Sequence, residues 1–412
     1  MRVLITGVTS FLGLYTAKLL LQEGHEVIGA VRPGSRRAQE LDAHGISAYP
    51  TYRTVHLDLC ELPEAELGEE HYAAVLGLDA TSHIDATSHI VAAPIGEEHY
   101  AEVLGLDDTH LSLIDAWIHF AWDGVGSAGR SDTNIQIENI QNAKKAYLYA
   151  KLLGARKFLF AGSQAEYGIG NHRVPMPVSP YGKAKLSFGR WATEQSLLSE
   201  IYDDAPMQFI HMRIYSVYGS GDHETSLVHT VLRAALRHEA ITLGPCEQRW
   251  NYLEVHDLAR AIRILLSSED TRTGIYDIAG SDSRRLKTYV IAMNAIAARF
   301  AADADMTADG GVTTASGTTH AASASGQCTG TAAGSAQAAN ADGQPAGTAH
   351  AANARTAPSG AELRFGTRPN NAEGAANMSP EILKLQRLGF HQEISFEAGI
   401  GMLLKTMERI DL

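Results

Sequence analysis

The chain has 412 residues, 45% hydrophobic and 20% charged, with 34 Lys and Arg against 47 Asp and Glu for a net charge of −13. At about 150 residues per domain this predicts two or three domains with a sizeable core and excludes wholesale disorder. The acidic balance argues against a nucleic-acid partner, the lack of any run of about 18 apolar residues argues against a membrane span, and the scattered Cys60, Cys246 and Cys328 argue against a disulfide framework or zinc knuckle.

The predicted elements begin at once. Arg2–Thr6 is a short apolar run, which leaves no room for a signal peptide and points to a cytoplasmic protein. The segment Thr6-Gly7-Val8-Thr9-Ser10-Phe11-Leu12-Gly13 then turns the chain into a helical pattern from Leu12 to Leu21. Gly7 permits a tight turn and Gly13 a close helix–strand approach, while Ser10 replaces the usual middle glycine. Amides exposed at the helix start suit a pyrophosphate, and a glycine turn directly after a first strand reads as dinucleotide binding. Gly7, Ser10, Phe11, Leu12 and Gly13 are therefore candidate cofactor contacts. An ordinary strand–helix turn is the plain alternative.

Glu26–Val31 is the second strand. An acid after it holds a ribose 2′-hydroxyl, but Arg32 stands there, followed by Pro33-Gly34-Ser35-Arg36-Arg37. Arg32, Ser35 and Arg36 suit a 2′-phosphate, so NADP(H) is favoured over NAD(H), with a solvated basic loop as the bland reading. Thr54–Leu57 is the third strand, and Asp58 after it is placed to accept from an adenine amine.

Residues 68–79 and 96–107 are near copies (GEEHYAAVLGLD and GEEHYAEVLGLD), with DATSHI twice between them. A solenoid needs about three units, so this reads as a duplicated loop insertion near 66–108. Its histidines, His71, His83, His89 and His99, lack Cys partners and compact ligand spacing, and no metal is expected. Ala116–Ala121, Lys157–Ala161 and Gln208–Ile214 are the remaining strands, with helical patterns at 138–153 and 183–199 between them. Alternating strands and helices predict an α/β fold with a doubly wound parallel sheet.

Tyr181-Gly182-Lys183-Ala184-Lys185 puts a Tyr and a Lys four residues apart, on one helix face. A nearby ammonium stabilises a phenolate, which makes Tyr181 a credible acid or base. Ser163, in Gly162-Ser163-Gln164-Ala165-Glu166-Tyr167-Gly168 after the fifth strand, is placed to donate to a substrate oxygen beyond the strand ends. A capping serine is the alternative. Residues 301–361 are Ala, Gly, Thr and Ser with little to bury, and read as a low-complexity flexible insertion. Order is expected again at Leu363. Ser379-Pro380-Glu381 reads as a helix start and Gly389 as its end.

TGVTSFLG at 6–13, HFA at 119–121, GSQAEYG at 162–168, YGKAK at 181–185, RIYSVYG at 213–219, NYLEVHD at 251–257 and LGFHQEISFEAGI at 388–400 together resemble the extended short-chain dehydrogenase/reductases that act as nucleotide-sugar epimerases, dehydratases and reductases. The resemblance implies a Rossmann-type sheet over residues 1–214, a smaller substrate lobe formed mainly by 215–300 and 362–412, and a cleft between them. It implies a triad of Ser163, Tyr181 and Lys185, with Lys185 also on the nicotinamide ribose and Ala121 beside the cofactor. Where related dehydratases carry an Asp-Glu pair, Gln164 and Ala165 stand, which argues against dehydration. Gln164, Ser216 and Arg249 are the expected substrate contacts, Arg249 standing in for an arginine usually found where Trp250 sits. GSQAEYG, HFAWDG and CEQRWNYLEVHD are similar to a subgroup near the deoxysugar reductases such as abequose synthases. The expected activity is NADPH-dependent reduction of a nucleotide-linked 4-keto-6-deoxy sugar. An NAD-dependent nucleotide-sugar epimerase and a cofactor-binding protein without catalysis are the alternatives. Family members commonly pair through two helices, here 138–153 and 181–199, so a homodimer is the expected assembly.

Overall fold

A computed structural model of the chain describes residues 1–62, 114–203, 205–309, 360–367 and 379–410. The duplicated segment and residues 310–359 lie outside the described residues.

Seven strands form one sheet: β1 (Arg2–Thr6), β2 (Glu26–Val31), β3 (Tyr52–His56), β4 (Ala116–His119), β5 (Lys157–Ser163), β6 (Gln208–Ile214) and β10 (Gly274–Ile278). Their order is β10-β6-β5-β4-β1-β2-β3, and every pairing is parallel. Strands covered on both faces read as continuous apolar runs rather than alternating ones, as Val3-Leu4-Ile5 does with no exposed surface. The order reverses between β1 and β4. In such sheets ligands bind there, beyond the carboxyl ends of the strands.

One face is covered by α1 (Phe11–Gln22) and α7 (Val255–Ser267), through Leu14, Ala17, Leu20, Leu258 and Ile262. The other is covered by α4 (Thr133–Leu152) and α5 (Pro180–Tyr202), through Ala143, Ala146, Tyr147, Phe188 and Ala192. Between β2 and β3 lies the short α2 (Gln39–Ala43), and before α4 lies α3 (Ser127–Arg130). Helix limits extend the expected 138–153 and 183–199 by a few residues, because Asp132 and Ser179 cap them: Asp132 accepts from the amides of Asn134 and Ile135, and Ser179 from that of Gly182.

A second lobe holds β7 (Ser216–Tyr218), α6 (Leu227–Leu236), β8 (Ile241–Thr242), β9 (Arg249–Glu254), β11 (Ser283–Arg285), α8 (Leu286–Asp309), β12 (Leu363–Arg364) and α10 (Phe396–Ile410). Its core gathers Tyr218, Val231, Leu232, Tyr252, Tyr289, Met293, Phe396 and Leu404. Residues 255–278, expected mainly with the lobe, return to the sheet as α7 and β10. Helix α8 runs on through 301–309 into the stretch expected to be low-complexity insertion.

The expected helix start at Ser379 is not where the structure puts it. The short α9 spans Leu383–Arg387, and its N-cap is Ile382. Ser379 instead offers its carbonyl to His172, and the Glu381 amide donates to Asp277, so this stretch is tied down as a strap rather than wound. Gly389 does end α9, at φ +97°.

Candidate active site

A cleft of about 700 Å3 opens at the sheet's switch point. Gly7 turns at φ +73°, and a Cβ there would stand 2.7 Å from the Ala121 nitrogen. A Cβ on Gly13 would collide with the Gly7 carbonyl. The glycines thus pack α1 tightly under β1 and leave its first amides facing the cleft. Ser10 caps α1, its Oγ accepting from the Gly13 amide at 3.1 Å. That is the physical reason serine stands where a middle glycine is usual. Gly7, Ser10, Phe11, Leu12, Asp58 and Ala121 line the cleft, and Gly13 supports it from behind. A cradle that a single Cβ would fill, beside a helix N-terminus, fits a dinucleotide.

At the end of β2 the structure brings Arg32, Ser35 and Arg37 into the lining. Arg36, an expected contact, is not among the lining residues, and Arg37 takes its place. Arg32 forms a bidentate pair with Asp123 on the loop after β4, at 2.9 and 3.1 Å.

Ser163, Tyr181 and Lys185 all line the same cleft. Ser163 ends β5. Its Oγ accepts from the Ala165 amide at 3.2 Å and its own amide donates to Glu166 at 2.8 Å, a capping box on the turn Gln164–Glu166. Capping and substrate contact coexist here, since an accepting hydroxyl still has its proton to donate. Tyr181 and Lys185 lie one turn apart near the start of α5, and Lys185 Nζ is 5.7 Å from the Tyr181 ring centroid. Nζ donates to the Ala161 carbonyl at 2.7 Å and sits 3.7 Å from the Trp122 ring centroid. Burial pushes the Lys185 ammonium well below the usual lysine range; the Glu166 charge opposes this and the Arg130 charge adds to it.

Glu166 has no exposed surface. Burial alone would raise its carboxyl, but His211 at 3.0 Å, Arg213 at 2.8 Å and the Ser163 amide hold it below the usual carboxylate range.

Gln164 and Ser216 line the cleft and are joined to each other, Nε2 donating to Oγ at 3.1 Å. Arg249, expected at the substrate, is outside the lining; it is exposed and donates to the Ser283 carbonyl. Residues alternate across a strand, so Trp250 and Tyr252 face the cleft while Arg249 and Asn251 face away. Among lining residues that sequence reasoning passed over are Trp122, Asp123, Arg130, Asp222 and His223. The signal for the first two was present in HFAWDG, a polar and aromatic run directly after a buried strand.

Residues 3–279 match the NAD dependent epimerase/dehydratase family. The chain belongs to that family. By its description that family is NAD dependent. A curated relative, the CDP-abequose synthase of Yersinia pseudotuberculosis, is 26% identical over 177 residues, which are 41% of this chain and 59% of the relative's own length. The UDP-glucose 4-epimerase of Thermotoga maritima, solved with UDP-glucose, shares the fold at TM-score 0.62 and 15% identity, with 100% of both chains covered. MoeE5, solved with UDP-glucuronic acid and NAD, does so at TM-score 0.60 and 16% identity, again over 100% of both chains. Among the described residues of this family member no helix is long and apolar enough to cross a membrane.

Proposed function

We propose that this enzyme is an NADPH-dependent reductase of a nucleotide-linked 4-keto-6-deoxy sugar. The observation that carries the reading is the set Arg32, Ser35 and Arg37 at the end of β2, where an acid would select a ribose 2′-hydroxyl and a basic cluster suits a 2′-phosphate. Gln164 and Ala165 support it: neither side chain is an acid or base, so the positions behind Ser163 have no group to expel a hydroxyl. The similarity to a CDP-abequose synthase points to a nucleotide-linked deoxysugar in the same direction.

The residues divide the work by chemistry. Gly7, Ser10, Phe11 and Leu12 hold the dinucleotide against the start of α1, with Gly13 behind them. Asp58 accepts from the adenine amine and Ala121 flanks the dinucleotide. When bound, that cofactor supplies the hydride for the carbonyl carbon. Ser163 donates its hydroxyl hydrogen to the carbonyl oxygen as charge develops there. Tyr181 gives its phenolic proton to the same oxygen. Lys185 orients the cofactor ribose and faces the tyrosine. Gln164 and Ser216, bonded to each other, orient the sugar.

An NAD-dependent nucleotide-sugar epimerase is the second reading. The Arg32–Asp123 pair favours it, because a carboxylate already occupies the guanidinium that a 2′-phosphate would need. The reductase reading is tested by supplying NADPH with a nucleotide-linked 4-keto-6-deoxy sugar and following both. One NADPH consumed per sugar reduced supports it. Interconversion of sugar epimers with no net NADPH loss refutes it.

A further inference from the structure

The loop that follows β4 carries two side chains that no role described so far uses: Trp122 and Arg130. This loop is a built feature. Two buried amide side chains of α4, Gln136 and Asn139, hold it from beneath. Gln136 accepts from the Trp122 indole at 2.8 Å and donates to the Gly129 carbonyl at 3.0 Å. Asn139 bonds both the amide and the carbonyl of Asp123 at 2.9 Å. Gly129 packs directly onto Gly124, where a Cβ would collide with backbone, and this brings α3 into the cleft wall. Arg130 then folds back: its Nε donates to the Val125 carbonyl at 2.7 Å, and its Cζ stands 4.6 Å from the centroid of the Tyr181 ring.

Tyr181 therefore faces two cations, Lys185 on its own helix and Arg130 from α3. They are not equivalent. Lys185 is buried to 3% exposure, with its ammonium over Trp122 and Phe160 and one hydrogen bond to a carbonyl, so its charge is costly to keep. A guanidinium remains charged at every relevant pH and is less strongly hydrated, which suits it to an aromatic face. The Glu166 charge also acts on Lys185, and Asp123, Asp222 and His223 line the same cleft. Burial, with the Lys185 charge adding to it, holds His119 neutral.

We propose that Arg130 is a positioning residue for the acid–base tyrosine: its guanidinium, clamped over the Tyr181 ring by the α3 loop, supplies the durable positive charge that stabilises the phenolate left after proton transfer. The inference rests on the reading of Tyr181 as the proton donor, but not on the identity of the sugar or the direction of hydride transfer.

The test needs no substrate. The pH titration of tyrosinate absorbance is recorded for the wild-type chain and for Tyr181→Phe, and the difference isolates Tyr181. The same difference is taken in the Arg130→Gln, Arg130→Met and Arg130→Lys backgrounds. Loss of one cation from an aromatic face should raise the Tyr181 midpoint by about one pH unit in the Gln and Met backgrounds. The Lys background should keep at least half of the wild-type effect. An unmoved midpoint in both neutral backgrounds would overturn the proposal and leave Arg130 as a substrate contact. So would an equal rise with Lys, which would trace the effect to packing rather than charge. A chain that proves to be an epimerase would show the same midpoint shift, so the two readings fail independently.

Discussion

Glu166 is a carboxylate with no exposed surface, and three donors satisfy it: the Ser163 amide, His211 and Arg213. Removing one member of a buried ion pair leaves the other charged and unsolvated, which costs far more than the pair contributes when intact. Glu166→Ala should therefore destabilise the fold by about 3–5 kcal/mol, read as a fall in the denaturant midpoint at unchanged slope. A loss below about 1 kcal/mol would mean that water already reaches the site. Tyr181 sits at the other extreme: in the proposed reaction its hydroxyl serves chemistry more than packing. Tyr181→Phe should cut turnover by about 10²- to 10⁴-fold while leaving the NADPH dissociation constant within about twofold. A parallel loss of cofactor affinity would place the hydroxyl on the cofactor rather than on the substrate.

At the scale of elements, the first strand, turn and helix were the most legible part of the chain, because backbone needs drive the pattern there: Gly7 turns at φ +73°, and a Cβ at 7 or 13 would collide with backbone. The Tyr181–Lys185 pair was legible because helix spacing alone fixes the shared face. Arg249 was misplaced for an equally simple reason. A one-residue change of face in β9 exchanges Arg249 for Trp250, and the sequence around them does not alternate cleanly enough to show which side meets the cleft. Arg36 and Arg37 differ in the same way, since a turn rather than a repeating element decides which points inward. The loop after β4 was least legible. Its value lies in the buried amides of Gln136 and Asn139, which read as ordinary polar residues in the α4 sequence. The Arg32–Asp123 pair joins that loop to the end of β2, and its exposure keeps it weak. Asp123→Asn frees the arginine without emptying the site. Titration should show NADPH binding tightened by up to about fivefold, with NADH unchanged. Equal changes for both cofactors would mean that Arg32 does not meet the 2′-phosphate.

The whole molecule couples sheet to lobe through a few buried polar ties. Asp257, at the start of α7, accepts from the amides of Glu393 and Ile394 and so fixes the closing segment ahead of α10. His119 in β4 carries a titration that reaches global stability. Burial pushes His119 down to about 3 from an ordinary 6.5. Between those values the unfolded chain takes up a proton that the folded chain refuses, so stability falls as the pH drops through that window. The slope from this residue is about 1.4 kcal/mol per pH unit, and His119→Asn should flatten the stability–pH profile by up to that amount between pH 6 and pH 4. An identical profile in the variant would show that His119 is hydrated in the native state. The seven parallel strands follow from the alternation of apolar runs and helical patterns, whereas the lobe's limits do not. Its strands are two to six residues long, and α7 and β10 leave it to rejoin the sheet.

Net reduction and epimerisation differ in what they consume. The purified enzyme is first stripped of any bound nucleotide. It is then incubated with a nucleotide-linked 4-keto-6-deoxy sugar and, in separate reactions, NADPH or NADH, and the product sugar is identified. Stoichiometric oxidation of NADPH, faster than that of NADH and matched by appearance of the 4-hydroxy sugar, is the predicted result. Retention of tightly bound NAD, with sugar epimers interconverted and no reduced cofactor consumed, would contradict it.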